Sequence, residues 1–183
     1  GKLGTQVCSS FISIIDDGAL PGAIMSAPFD GEGVSTGRTA LIEKGTLKNF
    51  LHNSYTATKD GVTSTGNAVR SFKSTPEVGT TNFFIEAGSV SRDELLSGIE
   101  QGFYVTEVMG MHTANPISGD FSVGASGLWI EKGKLTKAVR GVAIAGNLLS
   151  LLEQVDCVAD DLTFFVGRGA PTVRIKEMTI SGS

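Results

Sequence analysis

A short pattern occurs twice in this chain, and it restricts the possible folds more than any other feature of the sequence. Residues 41–47 are Leu-Ile-Glu-Lys-Gly-Thr-Leu, and residues 129–135, 88 positions later, are Trp-Ile-Glu-Lys-Gly-Lys-Leu. In each copy two apolar segments flank a Lys-Gly pair, which predicts an antiparallel hairpin. Glycine suits such a turn because it adopts positive φ without steric cost. We therefore expect two hairpins, with Gly45 and Gly133 at equivalent turn positions.

The recurrence has two explanations. Chance reuse of a common turn would leave the two segments unrelated, whereas an old duplication would give two similar β-rich halves. Both explanations predict a hairpin at each copy. A helix at either copy, or two unlike hairpins, would exclude the duplication.

Glycine content extends this expectation to the whole chain. Glycine supplies 24 of the 183 residues, about twice its average share, and only five prolines accompany it. Helix signals are few: a capping box at Ser91 and Glu94 predicts a helix that ends at Gly102, and residues 148–155 have helical apolar spacing. The predicted fold class is α+β, mostly antiparallel β, a β-rich domain with two similar hairpin-containing halves and a few short helices.

The remaining segments fit the same class. We expect residues 1–183 to form a single domain and, because the chain does not begin with Met, to be a fragment of a longer protein. Residues 53–75 are rich in Ser, Thr, Gly, Lys and Asn, which predicts one short helical turn followed by an exposed loop. Further predicted strands cover residues 11–16, 82–87, 103–111, 121–131, 135–145, 162–166 and 172–180.

Charge and hydropathy exclude several classes of partner. The net charge of −4 and the pI near 5.2 argue against a nucleic-acid surface, which requires clustered basic residues. No apolar segment approaches the roughly 18 residues of a membrane span, and no secretory signal pattern is present. We therefore expect a cytoplasmic location, with no direct nucleic-acid partner and no membrane partner.

Motifs for catalysis or metal binding are absent from the sequence. His52 and His112 are the only histidines, and no H-x-x-H or C-x-x-C pair is present, although a zinc site needs three or four ligands. No G-x-S-x-G elbow occurs, and the glycine-rich residues 31–37 lack the spacing of a phosphate loop. We expect no catalytic residue, no metal ligand and no cofactor in this chain.

One polar segment is a candidate binding site. Small residues, amides, hydroxyls and one carboxylate lie just before the strand of the second hairpin, where they could meet a peptide or a partner subunit. An ordinary polar loop is the alternative. The candidate residues for peptide binding or an interface are Asn115, Ser118, Gly119, Asp120, Phe121 and Ser122.

Several motifs resemble a known family. Asp16-Asp17-Gly18, followed by Ser-Ala-Pro-Phe-Asp-Gly-Glu-Gly at residues 26–33, is similar to a signature of the TldD/TldE (PmbA) family, and residues 65–70 resemble a later part of it. Residues 116–127 and Trp129-Ile130-Glu131 resemble the TldE (PmbA) branch in particular. The resemblance extends over residues 2–182 and implies the C-terminal domain of such a protein.

The resemblance also implies a function. TldD and TldE form a two-subunit cytoplasmic metalloprotease that acts on peptides, and the pair was also named as modulators of DNA gyrase. In TldD, zinc is held by an H-E-x-x-x-H helix that precedes this domain and by a cysteine in a late loop. Here residues 161–171 leave no room for that cysteine, and Cys157 lies before the loop. The resemblance therefore favours the TldE branch.

Three hypotheses follow from the sequence. The first is a non-catalytic subunit that shapes the dimer and the peptide channel, with a TldD-like subunit, a second copy of itself or both as partners, and with zinc in the TldD-like partner. The second is a non-proteolytic regulatory binding module, a DNA gyrase modulator. The third, an enzyme with unrecognised chemistry, is disfavoured by the missing motifs.

Overall fold

The computed structural model describes residues 1–182, which form fourteen β-strands, three short α-helices and one 3₁₀ turn. Antiparallel pairing dominates, and the pair β6–β12 is parallel. The predicted α+β, mostly antiparallel class is confirmed. The elements are β1 (Ile14–Asp17), β2 (Arg38–Glu43), β3 (Thr46–Leu47), α1 (Ser54–Asp60), β4 (Ala68–Val69), β5 (Glu77–Val78), β6 (Phe83–Ile85), α2 (Arg92–Ser97), β7 (Gln101–Met109), the 3₁₀ turn (Met111–Thr113), β8 (Asp120–Glu131), β9 (Lys134–Asn147), α3 (Leu148–Glu153), β10 (Val155–Val158), β11 (Thr163–Phe165), β12 (Arg168–Ala170), β13 (Val173–Ile175) and β14 (Thr179–Ser181).

The chain packs into two compact units. The first comprises Gly1–Ala87 and Leu162–Pro171, and the second comprises Gly88–Asp161 and the chain from Thr172 onward. The expectation of a single domain within a longer protein stays a prediction.

The first unit is built on a six-stranded sheet with the order β11-β12-β6-β1-β2-β3. Its central strand β1 pairs with β2 on one side and with β6 on the other. Ile12, Ile15 and Phe84 are buried around this centre. Burial of each such side chain contributes roughly 1.5–3 kcal/mol, so the centre of the sheet stabilises the unit.

The second unit is built on a four-stranded sheet with the order β14-β9-β8-β7, and a separate pair β10–β13. The strands β8 and β9 are long, and every second residue of each faces one side of the sheet. The core on that side consists of Val123, Ala125, Val142 and Ile144, with Phe103, Phe121, Val139 and Met178 packed against it.

The two repeated motifs form equivalent hairpins, as predicted. Glu43 pairs with Thr46 around Lys44-Gly45, and Glu131 pairs with Lys134 around Lys132-Gly133. All four turn residues have positive φ, of 45° and 79° in the first turn and 50° and 75° in the second. Positive φ at both central residues is typical of type I′ turns, whose twist matches that of the flanking strands.

Each turn is tied to the strand beside it in the same manner. The Gly45 amide donates to the Ile12 carbonyl at 2.8 Å, two residues before β1 begins, and the Gly133 amide donates to the Ile99 carbonyl at 2.8 Å, two residues before β7 begins. The strands β1, β2 and β3 in the first unit are therefore arranged like β7, β8 and β9 in the second. This likeness supports the duplication.

Two carboxylates, the buried Asp16 and the partly exposed Asp30, organise hydrogen bonds in the first unit. Asp16 is 1% exposed and accepts hydrogen bonds from the Asn67 side chain at 2.6 Å and from the Thr81 amide and hydroxyl at 2.7 and 2.8 Å. Asp30 accepts the amides of Glu32, Val34 and Ala68, each at 2.9 Å. Burial would raise the pKa of Asp30, but these backbone donors lower it below its ordinary value. The acidic residues of the family signature therefore hold loops together.

Two sequence predictions for helices need correction. The capping box forms, because the Glu94 amide donates to the Ser91 hydroxyl at 3.2 Å. However, α2 ends at Ser97, with Gly98 as its C-cap, and not at Gly102, because β7 begins at Gln101 and pairs with β8. The helix predicted over residues 148–155 is present but shorter, because α3 spans Leu148–Glu153, and none of its residues is buried. Val155 instead begins β10.

Other corrections concern strands. Residues 172–180 form two strands in different sheets, because β13 pairs with β10 while β14 pairs with β9. The predicted exposed loop at 53–75 contains the buried residues Asn67 and Ala68, whose partners lie far away in sequence. Within residues 1–182, no helix has the length and apolar character needed to cross a membrane.

The turn glycines lead to a first prediction. A Cβ at residue 45 would lie 2.5 Å from the Cys8 carbonyl oxygen, and one at residue 133 would lie 2.9 Å from the Ser97 Cα. Gly45→Ala and Gly133→Ala should each lower the free energy of unfolding by about 2–4 kcal/mol, because the variants combine φ strain with a backbone clash. Gly61→Ala is the matched control, since Gly61 has φ 68° and no atom near its added Cβ. It should cost only about 1 kcal/mol. If denaturant titration showed the same decrease in the free energy of unfolding for all three variants, the backbone clash would not explain the effect.

The lowered pKa of Asp30 leads to a second prediction. A carboxyl whose folded pKa is lowered stabilises the protein above its ordinary pKa, and that contribution disappears as the pH falls through the lowered value. Asp30→Asn should lose about 1–3 kcal/mol at neutral pH, because an amide nitrogen cannot accept the same bonds. Its unfolding free energy should also fall less steeply in acid than that of the natural protein. Asp60→Asn, at an exposed position, should change stability by less than about 0.5 kcal/mol.

Candidate functional site

The predicted site segment lies at one end of the four-stranded sheet. Asn115–Gly119 form a loop between the 3₁₀ turn and β8, whereas Asp120, Phe121 and Ser122 already belong to β8. The expectation that the whole segment precedes the strand is therefore corrected. The strand starts early because Asp120 pairs with Asn147 at the end of β9.

The loop is closed by its own hydrogen bonds. The Asn115 side-chain oxygen accepts the amides of Ile117 at 2.9 Å and Ser118 at 3.2 Å. The Asn115 amide donates to the Asp120 carbonyl, and the Gly119 amide donates to the Asn115 carbonyl, both at 2.9 Å. Because Asn readily makes such local bonds, it fixes the loop in one conformation.

Asn147 joins the loop to α3. Its side-chain nitrogen donates to the Ser118 carbonyl at 2.8 Å and to Asp120 Oδ1 at 2.9 Å. Its side-chain oxygen caps α3 by accepting the Leu149 amide at 3.0 Å. The hydrogen bond from Asn147, together with one from Ser118, lowers the pKa of Asp120. One amide side chain therefore holds the strand, the loop and the helix.

The six predicted residues do not share one role. Gly119 has φ 81°, which explains why the loop needs glycine there. Phe121 packs against the apolar core. Asn115, Ser118, Asp120 and Ser122 are exposed, and the first three contribute to the hydrogen bonds that hold the loop. Peptide binding or an interface at these residues stays a prediction.

The structure adds an apolar surface that the sequence did not reveal. Ile117, at the tip of the loop, is 95% exposed, and four other large apolar side chains at this end of the sheet are about half exposed. We call this group the sheet-end surface: Met109, Met111, Ile117, Leu148 and Leu149. Exposed apolar clusters of this kind mark interaction sites, and Met side chains adapt to varied partners. Helical apolar spacing places Leu148 on one face of a helix, but it does not show whether that face is exposed.

An unpaired strand edge leads to this surface. The strand β7 is at one end of the sheet order, and within the described part of the chain no strand pairs with its outer edge. Residues 105–109 are exposed, and the last of them, Met109, belongs to the sheet-end surface. A free edge of this kind can pair with another extended chain.

Within the described residues, possible metal ligands are not grouped. Among residues 1–182, no three side chains of His, Cys, Asp or Glu lie close enough together to hold a metal ion. The buried His52 ring is 3.2 Å from the Thr56 hydroxyl, and His112 is exposed in the 3₁₀ turn. The described residues therefore do not fit a zinc site, and the expectation that this chain binds no metal stays a prediction.

The Asn147 bridge leads to a third prediction. Asn147→Ala should raise the pKa of Asp120 toward its ordinary value, because the largest cause of its lowering is removed. Carboxyl titration followed by NMR measures this shift. Glu94 is an internal control, since its lowered pKa depends on Ser91 and should not move. An unchanged pKa for Asp120 would show that Asn147 does not hold this carboxylate in solution.

Comparison with known proteins supports the resemblance. The family model described as the PmbA/TldA metallopeptidase C-terminal domain matches residues 1–182. The metalloprotease PmbA of Escherichia coli O157:H7 is 34% identical over 181 residues, which cover 99% of this chain and 38% of that protein. An uncharacterised protein of Methanocaldococcus jannaschii is 41% identical over 155 residues, which cover 84% of this chain and 36% of that protein.

Solved structures share the fold. A proposed modulator of a DNA gyrase from Thermotoga maritima has a TM-score of 0.92 and 39% identity, covering 99% of this chain and 41% of that one. TldE from Thermococcus kodakarensis has a TM-score of 0.90 and 32% identity, covering 100% of this chain and 42% of that one. The chain thus spans about two fifths of the length of these relatives. It belongs to the PmbA/TldD metallopeptidase family and matches the C-terminal domain of that family.

Proposed function

We propose that this chain is the C-terminal domain of a TldE/PmbA-type subunit in a cytoplasmic two-subunit metallopeptidase. In this proposal it shapes the dimer and the peptide channel, while a TldD-like partner supplies the zinc. The observation that carries the proposal is the free β7 edge that leads into the sheet-end surface. The similarity to TldE from Thermococcus kodakarensis supports the choice of branch.

The free edge suits an extended peptide of varied sequence. Backbone amides and carbonyls along β7 can pair with those of a peptide, and such bonds do not depend on the peptide's side chains. Successive peptide side chains would point alternately to the two faces of the sheet, so every second one could meet a pocket. Activation of water and polarisation of the scissile carbonyl would come from the metal of the partner subunit.

The sheet-end surface suits contact with a partner subunit. The loop presents Ile117 in a conformation already fixed by Asn115 and Asn147, so little ordering entropy is lost on binding. The surrounding Met and Leu side chains can exclude water from the contact, as apolar residues do at the centre of interfaces.

A second function is favoured by the descriptions of two solved relatives. Proteins from Thermotoga maritima and Bacteroides thetaiotaomicron, both similar in structure, are described as proposed modulators of DNA gyrase. Under that alternative the surface would bind another protein and take no part in proteolysis. Purification of the full-length protein from its own cells distinguishes the two functions. Co-purification of a zinc-containing TldD-like subunit supports the first function, and co-purification of gyrase alone supports the second.

Ile117 provides the fourth prediction. Replacing it with serine, Ile117→Ser, should weaken the complex with a TldD-like subunit about tenfold and reduce peptide cleavage by the reconstituted pair. The side chain is 95% exposed, so thermal stability should not change. Gly119→Val should also weaken the complex and reduce cleavage. A β-branched residue strongly disfavours φ 81°, so the loop must move.

The control is Val62→Ser, which alters an exposed apolar side chain in the first unit. It should leave both affinity and cleavage unchanged. Natural affinity and natural cleavage in the Ile117 variant would refute a subunit contact at the sheet-end surface. Retention of about one zinc per chain by the purified subunit alone would refute the proposal that only the partner supplies the metal.

A further inference from the structure

The strand β7 contains a β-bulge within its exposed part. Val105 pairs with Gly127 of β8, and Glu107 pairs with the residue next to Gly127, which is Ser126. Thr106 is therefore an extra residue in β7. Its hydroxyl donates to the Ser126 carbonyl at 3.2 Å, so the Thr106 side chain is bonded within the sheet. Bulges of this kind are common beside functional sites, where they redirect a side chain.

The bulge decides on which face of the sheet Glu107 lies. Residues opposite each other in register share a face, and successive residues of a strand alternate between faces. Without the extra residue, Glu107 would pair with Ala125 and lie on the face of the apolar core. With the bulge, Glu107 pairs with Ser126 on the other face, and Val108 pairs with Ala125. The bulge thus places a charge at the free edge without bringing it to the core.

The Glu107 carboxylate has no partner in the described part of the chain. Within residues 1–182 it makes no ion pair and no side-chain hydrogen bond, and the residue is exposed. Glu107 is also the only charged residue of β7. The adjacent strand does not neutralise it, because residues 121–130 of β8 contain no charged side chain. The free edge of β7 therefore has one uncompensated negative charge.

We propose that Glu107 selects peptides by charge, favouring an extended peptide with Lys or Arg at the position opposite Glu107. This inference rests on the proposed function, because it takes the β7 edge as the peptide site. Side chains directly opposite each other on adjacent strands have Cβ atoms about 4.5–5.5 Å apart, so opposite charges stabilise the pair and like charges destabilise it. Backbone bonds along β7 hold peptides of varied sequence, and Glu107 adds a preference at one position.

Cleavage of matched peptides by the reconstituted pair of full-length subunits tests this preference. A Lys or a Glu is placed in turn at each position of one otherwise neutral peptide. At one position we expect the Lys peptide to have a KM about three- to tenfold lower than the Glu peptide, with similar kcat, because the contact is already made in the bound substrate. The difference in KM should shrink at high ionic strength, because salt screens exposed charges.

Substitutions at residue 107 should change the preference in a defined direction. In Glu107→Lys the Glu peptide should have the lower KM at the same peptide position, and Glu107→Gln should remove the preference. Glu77→Lys is the matched control, because it changes the net charge equally at an exposed glutamate of β5, in the first unit, that makes no ion pair within residues 1–182. This control should keep the natural preference for Lys.

Failure of this inference is distinguishable from failure of the proposed function. If the reconstituted pair cleaves none of the peptides, both are overturned. If the peptides are cleaved without a charge preference, or if Glu107→Lys keeps the natural preference, only the selection by Glu107 is overturned. An equal loss of cleavage for every peptide in the Glu107 variants would assign Glu107 a structural role and would also overturn selection by charge.

Discussion

The rest of the structure depends on the backbone hydrogen bond between the glycine of each Lys-Gly turn and the chain just before the neighbouring strand. The turn requires positive φ at two successive residues, and its glycine amide reaches a carbonyl two residues before the neighbouring strand. That single hydrogen bond aligns three strands at once, β1 with β2 and β3 in one unit and β7 with β8 and β9 in the other. A one-residue slip would move the apolar side chains to the wrong face of the sheet. The same turn and hydrogen bond therefore fix the strand register in both sheets.

The carboxylates of Asp16 and Asp30 in the first unit stabilise the fold through hydrogen bonds. Asp16 and Asp30 occupy acidic positions of the family signature, and both are satisfied by amide, hydroxyl and backbone donors. Asp16 is buried and Asp30 is partly exposed, and a buried carboxylate without such donors would cost several kcal/mol. Several of the donors, from Asn67, Ala68 and Thr81, lie within residues 65–82, so the two carboxylates attach this polar segment to the rest of the first unit.

In the second unit, the hydrogen bonds and the apolar surface act together. The side chains of Asn115 and Asn147 both bond to the backbone of one loop and so hold Ile117 outside the core. The unpaired edge of β7 ends beside it. A peptide can use the edge through backbone bonds while a partner uses the apolar side chains, so one end of the sheet can serve both contacts without competition for the same groups.

The sequence by itself determined the two hairpins, the capped helix at Ser91 and the antiparallel class, because turn glycines, capping pairs and alternating apolar residues act over a few neighbouring positions. It also placed Asn115, Ser118 and Asp120 in one candidate segment. Tertiary structure alone decided that residues 155–158 form a strand, that Leu148 and Leu149 are exposed, and that Asn67 is buried. In each case the deciding partner is distant in sequence: Ile175 pairs with Val155, Gly119 fixes Leu148, and Asp16 holds Asn67. Local patterns carry no information about such partners, so only the folded chain can select them.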